Sequence, residues 1–329
     1  MRFFNAVVGN PPYQKQVDRD DSCFYAQPLY NKFVSKATGI AEKVSMITPS
    51  KWMACSNWHL DEYRMMLASG HVAELHHFPI STDCFKRVTI RGGVSYFLWD
   101  RSRKGECRFF VHGESGESLE VRPLVEPNSD VVFRINGAAS IFRKAMALGL
   151  PPVSSIVGKY APFGLQTNFK DMSPERTDER DIRLIAYPEC GWVSRSQIRR
   201  NLPLVDEWKV FIPKAAGKGN PAMDVVNVIV GPPKTACTTS YIVLGPLKDE
   251  AECLNAASLI ATRTAHFLIA LAKPTQDCFH YAFKFLPLLE LSHSWTDEML
   301  FERLGLDAGE IQTIRESIWP QKLPKGLTG

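Results

Sequence analysis

Asn10, Pro11, Pro12 and Tyr13 are the residues of this chain whose types and spacing could do chemistry. Two successive prolines fix the backbone and remove two amide donors, so the carbonyls beside them are left to accept from something else. The Asn10 side-chain carbonyl can also accept, and Tyr13 offers a flat ring. Two acceptors and a stacking face suit an exocyclic amino group on a planar base. The simpler reading is an Asn-Pro turn ahead of a polar loop.

The tetrapeptide needs an element to hold it. The short apolar run at 6–9, bounded by turn residues, predicts a buried strand. That strand presents Asn10 at its carboxyl end, where ligands sit in open α/β sheets. Helical spacing at 25–36, a strand at 44–48 stopped by Pro49, a helix at 60–67 ending near Gly70 and a strand at 72–78 follow. A hairpin is expected from 88–90 and 94–99 about the Gly92-Gly93 turn. Strands alternating with helices and closed by a hairpin indicate an α/β sheet. Composition shifts at 123–130 (Pro-Leu-Val-Glu-Pro-Asn-Ser-Asp), the expected domain boundary. A helix at 138–148 precedes strand-and-loop sequence from 155 to 236, with Gly217-Lys218-Gly219-Asn220 as a mobile tip, and a strand at 241–244. Asp249 and Glu252 have capping-box spacing and open one long helix, 250–273, stopped by Pro274. Two short helices follow, one from Thr296 to Gly305 and one after Asp307 that ends before Pro320.

The 329 residues can bury a large core and predict two domains. A hydrophobic share of 45%, a charged share of 22% and a net charge of +4 describe an ordinary globular chain that permits a polyanionic partner. No run approaches the ~20 apolar residues that span a bilayer, so a cytoplasmic protein is expected. Eight cysteines, none at C-x-x-C spacing, suggest reduced thiols. His76-His77 is the one histidine cluster; neighbours on a strand point to opposite faces, so no metal site is expected. There is no G-x-S-x-G and no P-loop.

One other stretch carries a chemical pattern. Between Cys190 and Asn220 lie Arg195, Arg199, Arg200, Lys209, Lys214 and Lys218 against Asp206 and Glu207, interleaved with Trp192 and Trp208. A phosphate-contacting surface would use such residues. A solvated loop with core tryptophans would look the same.

Residues 4–14 (Phe-Asn-Ala-Val-Val-Gly-Asn-Pro-Pro-Tyr-Gln) resemble motif IV of the gamma-class adenine-specific DNA methyltransferases of restriction-modification systems, of the type IIG kind. Residues 47–52 (Ile-Thr-Pro-Ser-Lys-Trp) and 92–101 (Gly-Gly-Val-Ser-Tyr-Phe-Leu-Trp-Asp-Arg) resemble later motifs of that catalytic domain. Residues 281–287 and 295–298 resemble its C-terminal end.

The resemblance implies that the Asn10 side chain and the Pro11 carbonyl accept from the adenine amine, with Pro12 and Tyr13 completing the site and Tyr13 stacking on a flipped base. Leu29, Tyr30 and Phe33 would wall the pocket of the methyl donor, S-adenosylmethionine. The fold implied is α/β, a partial Rossmann-like methyltransferase sheet (1–125) followed by an α+β target-recognition domain (126–290) and a C-terminal helical segment (291–329). Arg195, Arg199, Arg200, Lys214 and Lys218 would contact double-stranded DNA.

The family's donor-binding motif lies upstream of motif IV, and this sequence offers only Gly217-x-Gly219 in its stead. The strand at 6–8 is then expected as an exposed apolar edge, S-adenosylmethionine is expected to bind weakly or not at all, and a separate chain is expected to carry the missing half. The rival expectations are a non-catalytic DNA-binding specificity subunit and, more distantly, an enzyme methylating a protein glutamine amide.

Overall fold

The computed structural model describes residues 4–17, 25–54, 60–113, 116–215, 226–273 and 277–320. The chain divides into two compact units, Met1–Ala139 and Ser140–Gly329.

The first unit is an α/β layer, as the sequence implied. Its strands are β1 (Phe4–Gly9), β2 (Gln14–Val17), β3 (Tyr25–Pro28), β4 (Ala41–Pro49), β5 (Val72–Phe78), β6 (Val94–Asp100), β7 (Cys107–Gly113) and β8 (Gly116–Arg122). Helix α1 (Tyr30–Ile40) carries the chain from β3 to β4, and α2 (Asp61–Leu67) precedes β5. Six strands form one sheet in the order β1-β4-β6-β5-β7-β8. The β1–β4 and β5–β7 pairs are parallel, and the rest are antiparallel.

The alternation of a strand decides which side is buried. Val44, Met46, Leu75, Phe97 and Phe109 face a core closed by Val34 and Ala37 of α1 and Tyr63 and Leu67 of α2. The opposite alternation carries Lys43, Ser45, His76, Tyr96, Leu119 and Val121 outward. Among the described residues β1 pairs with β4 alone, and its Phe4 and Val8 are 53% and 78% exposed. It is the open apolar edge expected.

Two local expectations fail. Residues 25–28 are strand rather than the start of the helix, because they pair with β2 as a short antiparallel ribbon. Residues 88–90 form no strand, since the Ser81 hydroxyl donates to the Val88 carbonyl and accepts from the Ile90 amide, holding them as a loop. The β7–β8 hairpin had no counterpart in the expected elements.

In the second unit, which α3 (Ala138–Ala147) enters, β9 (Ile182–Ile185), β10 (Gly191–Val193), β11 (Trp208–Pro213), β12 (Ile229–Gly231), β13 (Thr235–Cys237) and β14 (Tyr241–Leu247) make two three-stranded sheets, β10-β9-β13 and β12-β11-β14. They share a core of Leu184, Val205, Phe211, Ala236 and Val243. Helices α4 (Glu250–Ile260), α5 (Arg263–Ala272), α6 (Asp297–Leu304) and α7 (Ala308–Ser317) follow.

The Asp249 cap forms, its side chain accepting from the Glu252 amide at 2.9 Å. The expected single helix 250–273 is two helices bent by 69°. The buried Thr262 makes the break: its hydroxyl donates to the Leu259 carbonyl and accepts from the Ala265 amide, ending one helix and capping the next. Asp307 and Glu310 form the full reciprocal box that opens α7. Gly305 closes α6 in the left-handed conformation at φ 61°. No single helix among the described residues is long and apolar enough to cross a membrane.

Candidate functional site

Strand β1 ends at Gly9, and Asn10 to Tyr13 leave the sheet at its carboxyl edge. Pro11 is buried, whereas Asn10 and Pro12 are exposed. The Asn10 side chain makes no hydrogen bond among the described residues. Tyr13 is half-buried against the sheet core, and its carbonyl accepts from the Leu29 amide at 3.1 Å. That bond closes the loop that returns the chain to α1. The Tyr13 hydroxyl is buried without a partner among the described residues, and burial pushes its pKa up to about 12, so the phenol stays neutral.

These four residues line a cleft of about 920 Å3, with Tyr30, Pro49, Lys51, Thr89 and Arg91 on its other walls. A cleft of that size accommodates a planar base with its sugar. Tyr30 begins α1 and packs edge-on against Tyr63, which packs edge-on against Trp52, at 5.7 and 5.6 Å between centroids. Such aromatic contacts add roughly 0.5–1.5 kcal/mol each beyond area burial and hold Tyr30 at the wall.

Lys51 is placed by the short 3-10 turn Ser50–Met53 at the end of β4. Three buried groups fix that turn. The Ser50 amide donates to the Gly93 carbonyl at 3.0 Å. The Ser50 hydroxyl meets His77 Nδ1 at 3.0 Å. Arg64, buried in α2, donates to the carbonyls of Trp52 and Ala54 at 2.8 and 3.0 Å. Burial, reinforced by the Arg134 charge, pushes the His77 pKa down to about 3, so a neutral imidazole holds Ser50. Gly93 is required there, because it sits at φ 80° and a Cβ would lie 2.3 Å from the Phe78 carbonyl oxygen.

Among the expected donor-pocket residues, Tyr30 is on the cleft. Leu29 is tied in through its backbone, and Phe33, a turn later, is 45% exposed. Lys51 and Arg91 were not singled out as site residues from the sequence. Both are exposed and without ion-pair partners among the described residues, and both line the cleft with Asn10 to Tyr13. Lys51 lies within residues 47–52, next to Pro49-Ser50, and Arg91 stands just before residues 92–101 and their Gly-Gly turn.

The basic stretch of the second unit is less uniform than its composition. Arg199 and Arg200 are exposed with no side-chain partner among the described residues, and the Arg199 amide is fixed to the Phe163 carbonyl. Arg195 is paired with Asp206. The Lys214 ammonium lies over the rings of Tyr160 and Phe279 at 5.5 and 5.9 Å. Lys209 is wholly buried and cannot meet a phosphate; it donates to the carbonyls of Val205, Glu207 and Pro232. Trp192 is half-buried beneath Arg183 and Arg176. Lys218 and the Gly217 to Asn220 tip lie outside the described residues.

Residues 2–85 match the Eco57I restriction-modification methylase family model. A protein described as an uncharacterized adenine-specific methylase of Mycoplasma pneumoniae is 32% identical over 144 residues, which is 43% of this chain and 34% of that protein. The chain thus spans about a third of the length of that curated relative. Among solved structures, the type IIG restriction endonuclease BpuSI aligns over 91% of this chain and 45% of its own, at 13% identity and a TM-score of 0.32. The type IIL restriction-modification enzyme MmeI in complex with DNA aligns over 77% and 40%, at 9% identity and a TM-score of 0.42.

Proposed function

We propose, from the match of residues 2–85 to the Eco57I restriction-modification methylase family model, that this chain supplies the acceptor side of a site-specific DNA methyltransferase acting on the adenine exocyclic amine. The observation that carries the reading is that Asn10 to Tyr13 line one cleft with two cations, Lys51 and Arg91, that have no ion-pair partner among the described residues. In this reading the Asn10 side-chain carbonyl and the Pro11 carbonyl accept the two amine hydrogens. That fixes the nitrogen lone pair in one direction. The Tyr13 ring stacks on the base, which is flipped from the duplex to reach it. Lys51 and Arg91 neutralise phosphates beside the extruded nucleotide. The chain's contribution to rate is positioning, with no covalent intermediate.

S-adenosylmethionine supplies an electrophilic methyl group when bound. The residues lining this cleft do not fit it by themselves. Tyr30 gives an apolar wall, but no carboxylate stands among the described lining residues, and two cations do, which a sulfonium does not favour. The donor is therefore expected to bind this chain alone weakly or not at all, and a partner carrying further sheet strands at the β1 edge would complete its pocket. In the second unit, Arg199 and Arg200, with Arg195, Lys214 and Lys218, are proposed to contact double-stranded DNA. Residues 126–290 would then serve target recognition, and 291–329 would form a helical end.

The test is methyl transfer from labelled S-adenosylmethionine to unmethylated chromosomal DNA. It uses the chain tagged and purified from its own cells with whatever binds it. Label on adenine that disappears with Asn10→Ala is expected. Equal labelling by Asn10→Ala, or DNA binding with no labelling in either form, would leave the rival reading, a non-catalytic DNA-binding specificity subunit.

A further inference from the structure

The outer face of the six-stranded sheet carries a cluster that the cleft does not use. His76 on β5 stands opposite Phe110 of β7, and His112 of β7 stands opposite Glu117 of β8. Three adjacent strands therefore aim two imidazoles and a carboxylate at one patch. His76 Nδ1 and His112 Nε2 are 3.0 Å apart. Two nitrogens bound to one tetrahedral zinc-like ion at its usual bond lengths stand about 3.3 Å apart. Each residue can bring one ligand atom within 4.8 Å of the other two.

We propose that His76, His112 and Glu117 form a binding site for a divalent transition-metal ion of the zinc class, separate from the cleft. The rings are already held. His76 is sandwiched between Tyr96 and Phe110, at 4.5 and 4.2 Å between centroids, and His112 stacks on Phe78 at 4.2 Å with 3° between planes. A ligand set clamped by stacking loses little side-chain freedom on binding.

The outer nitrogen of His76 is held as well. His76 Nε2 lies 3.8 Å from Glu74, which Arg108 anchors at 2.6 Å. A carboxylate behind a metal-bound imidazole fixes the tautomer and raises ligand basicity. Glu117, 3.4 Å from His112 Nδ1 without the ion, must leave that nitrogen to ligate. With both rings neutral, the 3.0 Å approach of the inner nitrogens is a hydrogen bond in which one ring donates its proton to the other. Binding moves it to an outer nitrogen of one ring, so both inner lone pairs face the ion and no net proton need be lost. The borderline-soft nitrogen set selects zinc, nickel or copper over magnesium or calcium. The ion cross-links β5, β7 and β8, with water in the remaining position.

The experiment is calorimetric titration of the full chain with ZnCl2, in a Cys190→Ser background so that the one thiol exposed among the described residues does not compete. Visible d–d bands on adding Co2+ give the coordination. One zinc per chain is expected, with affinity at least about 10-fold weaker in His112→Ala and in the isosteric Glu117→Gln. Tetrahedral-type Co2+ bands should appear in the parent and be lost in His112→Ala. Glu117→Gln keeps the hairpin's shape, so its weakened binding reads ligation rather than misfolding. Absence of zinc binding in the parent, or binding unchanged in both variants, overturns the assignment.

Discussion

Asn10 is exposed and hydrogen-bonds to nothing among the described residues, so the fold does not depend on it. Asn10→Ala should leave the thermal midpoint within about 1 °C, since substitutions at such surface positions usually change stability by less than ~0.5 kcal/mol. It should lower methyl transfer by the purified complex at least about 100-fold, the scale at which a misplaced reacting group is felt. A loss of transfer accompanied by a large drop in the midpoint would make Asn10 structural instead.

Lys209 shows the reverse case, a charge whose role is internal. Burial pushes its pKa down from the ordinary 10.5 to about 8. Between those values the unfolded chain holds more protons than the folded one, so this group makes stability rise with pH across that window. Below about pH 8 both states are charged and the penalty is fully present. The stability of the parent minus that of Lys209→Met should therefore increase from pH 8 to 10.5, by on the order of 3 kcal/mol at most. Denaturant unfolding at several pH values measures it, and a flat difference would mean that Lys209 titrates normally.

At the scale of elements, the exposed edge β1 is the feature with the plainest consequence. Its outward residues Phe4 and Val8 are open, and its free backbone groups can pair with another strand. Val8→Lys should reduce concentration-dependent self-association of the isolated chain in analytical ultracentrifugation. Its thermal midpoint should barely move, because Val8 is 78% exposed. Unchanged association would place the sticky surface elsewhere.

The strand feeding Asn10 was legible in the sequence because a short apolar run bounded by turn residues reads as a strand, whereas its place at an open edge was expected only from the family resemblance. β5 was equally legible, its observed span matching the expected 72–78. The helix caps at Asp249, Thr296 and Asp307 were legible because they are local, each a side chain bonding an amide three residues on. What could not be read was non-local. Thr262 is the local exception, a cap hydroxyl hidden inside an apolar run that reads as continuous helix. The β2–β3 ribbon overrides the helical spacing at 25–28. The His76–His112 pair joins residues 36 apart in sequence, whereas inspection of neighbours offered only His76-His77. Similarly, a count of basic residues could not show that Lys209 is inside or that Arg195 is already paired with Asp206.

For the whole molecule, the net charge of +4 is too small to make the proposed DNA binding a matter of bulk attraction, so in that reading the affinity comes from particular cations. Each phosphate neutralised adds about 0.9 to the magnitude of the slope of log affinity against log salt on duplex DNA. Arg199 and Arg200 are adjacent, exposed and without side-chain partners among the described residues, so both are available for such contacts. Their joint replacement by Ala should reduce the slope by close to 2 and weaken binding alike on all sequences, as phosphate contacts do. Arg195→Ala should do less, because Asp206 already compensates that charge and a contact with DNA must first give up the ion pair. Fluorescence anisotropy of a labelled duplex across a range of salt concentrations separates the two. A slope indifferent to Arg199 and Arg200 would move the electrostatic contact to Lys51 and Arg91 at the cleft, where the same measurement on their Ala variants would find it.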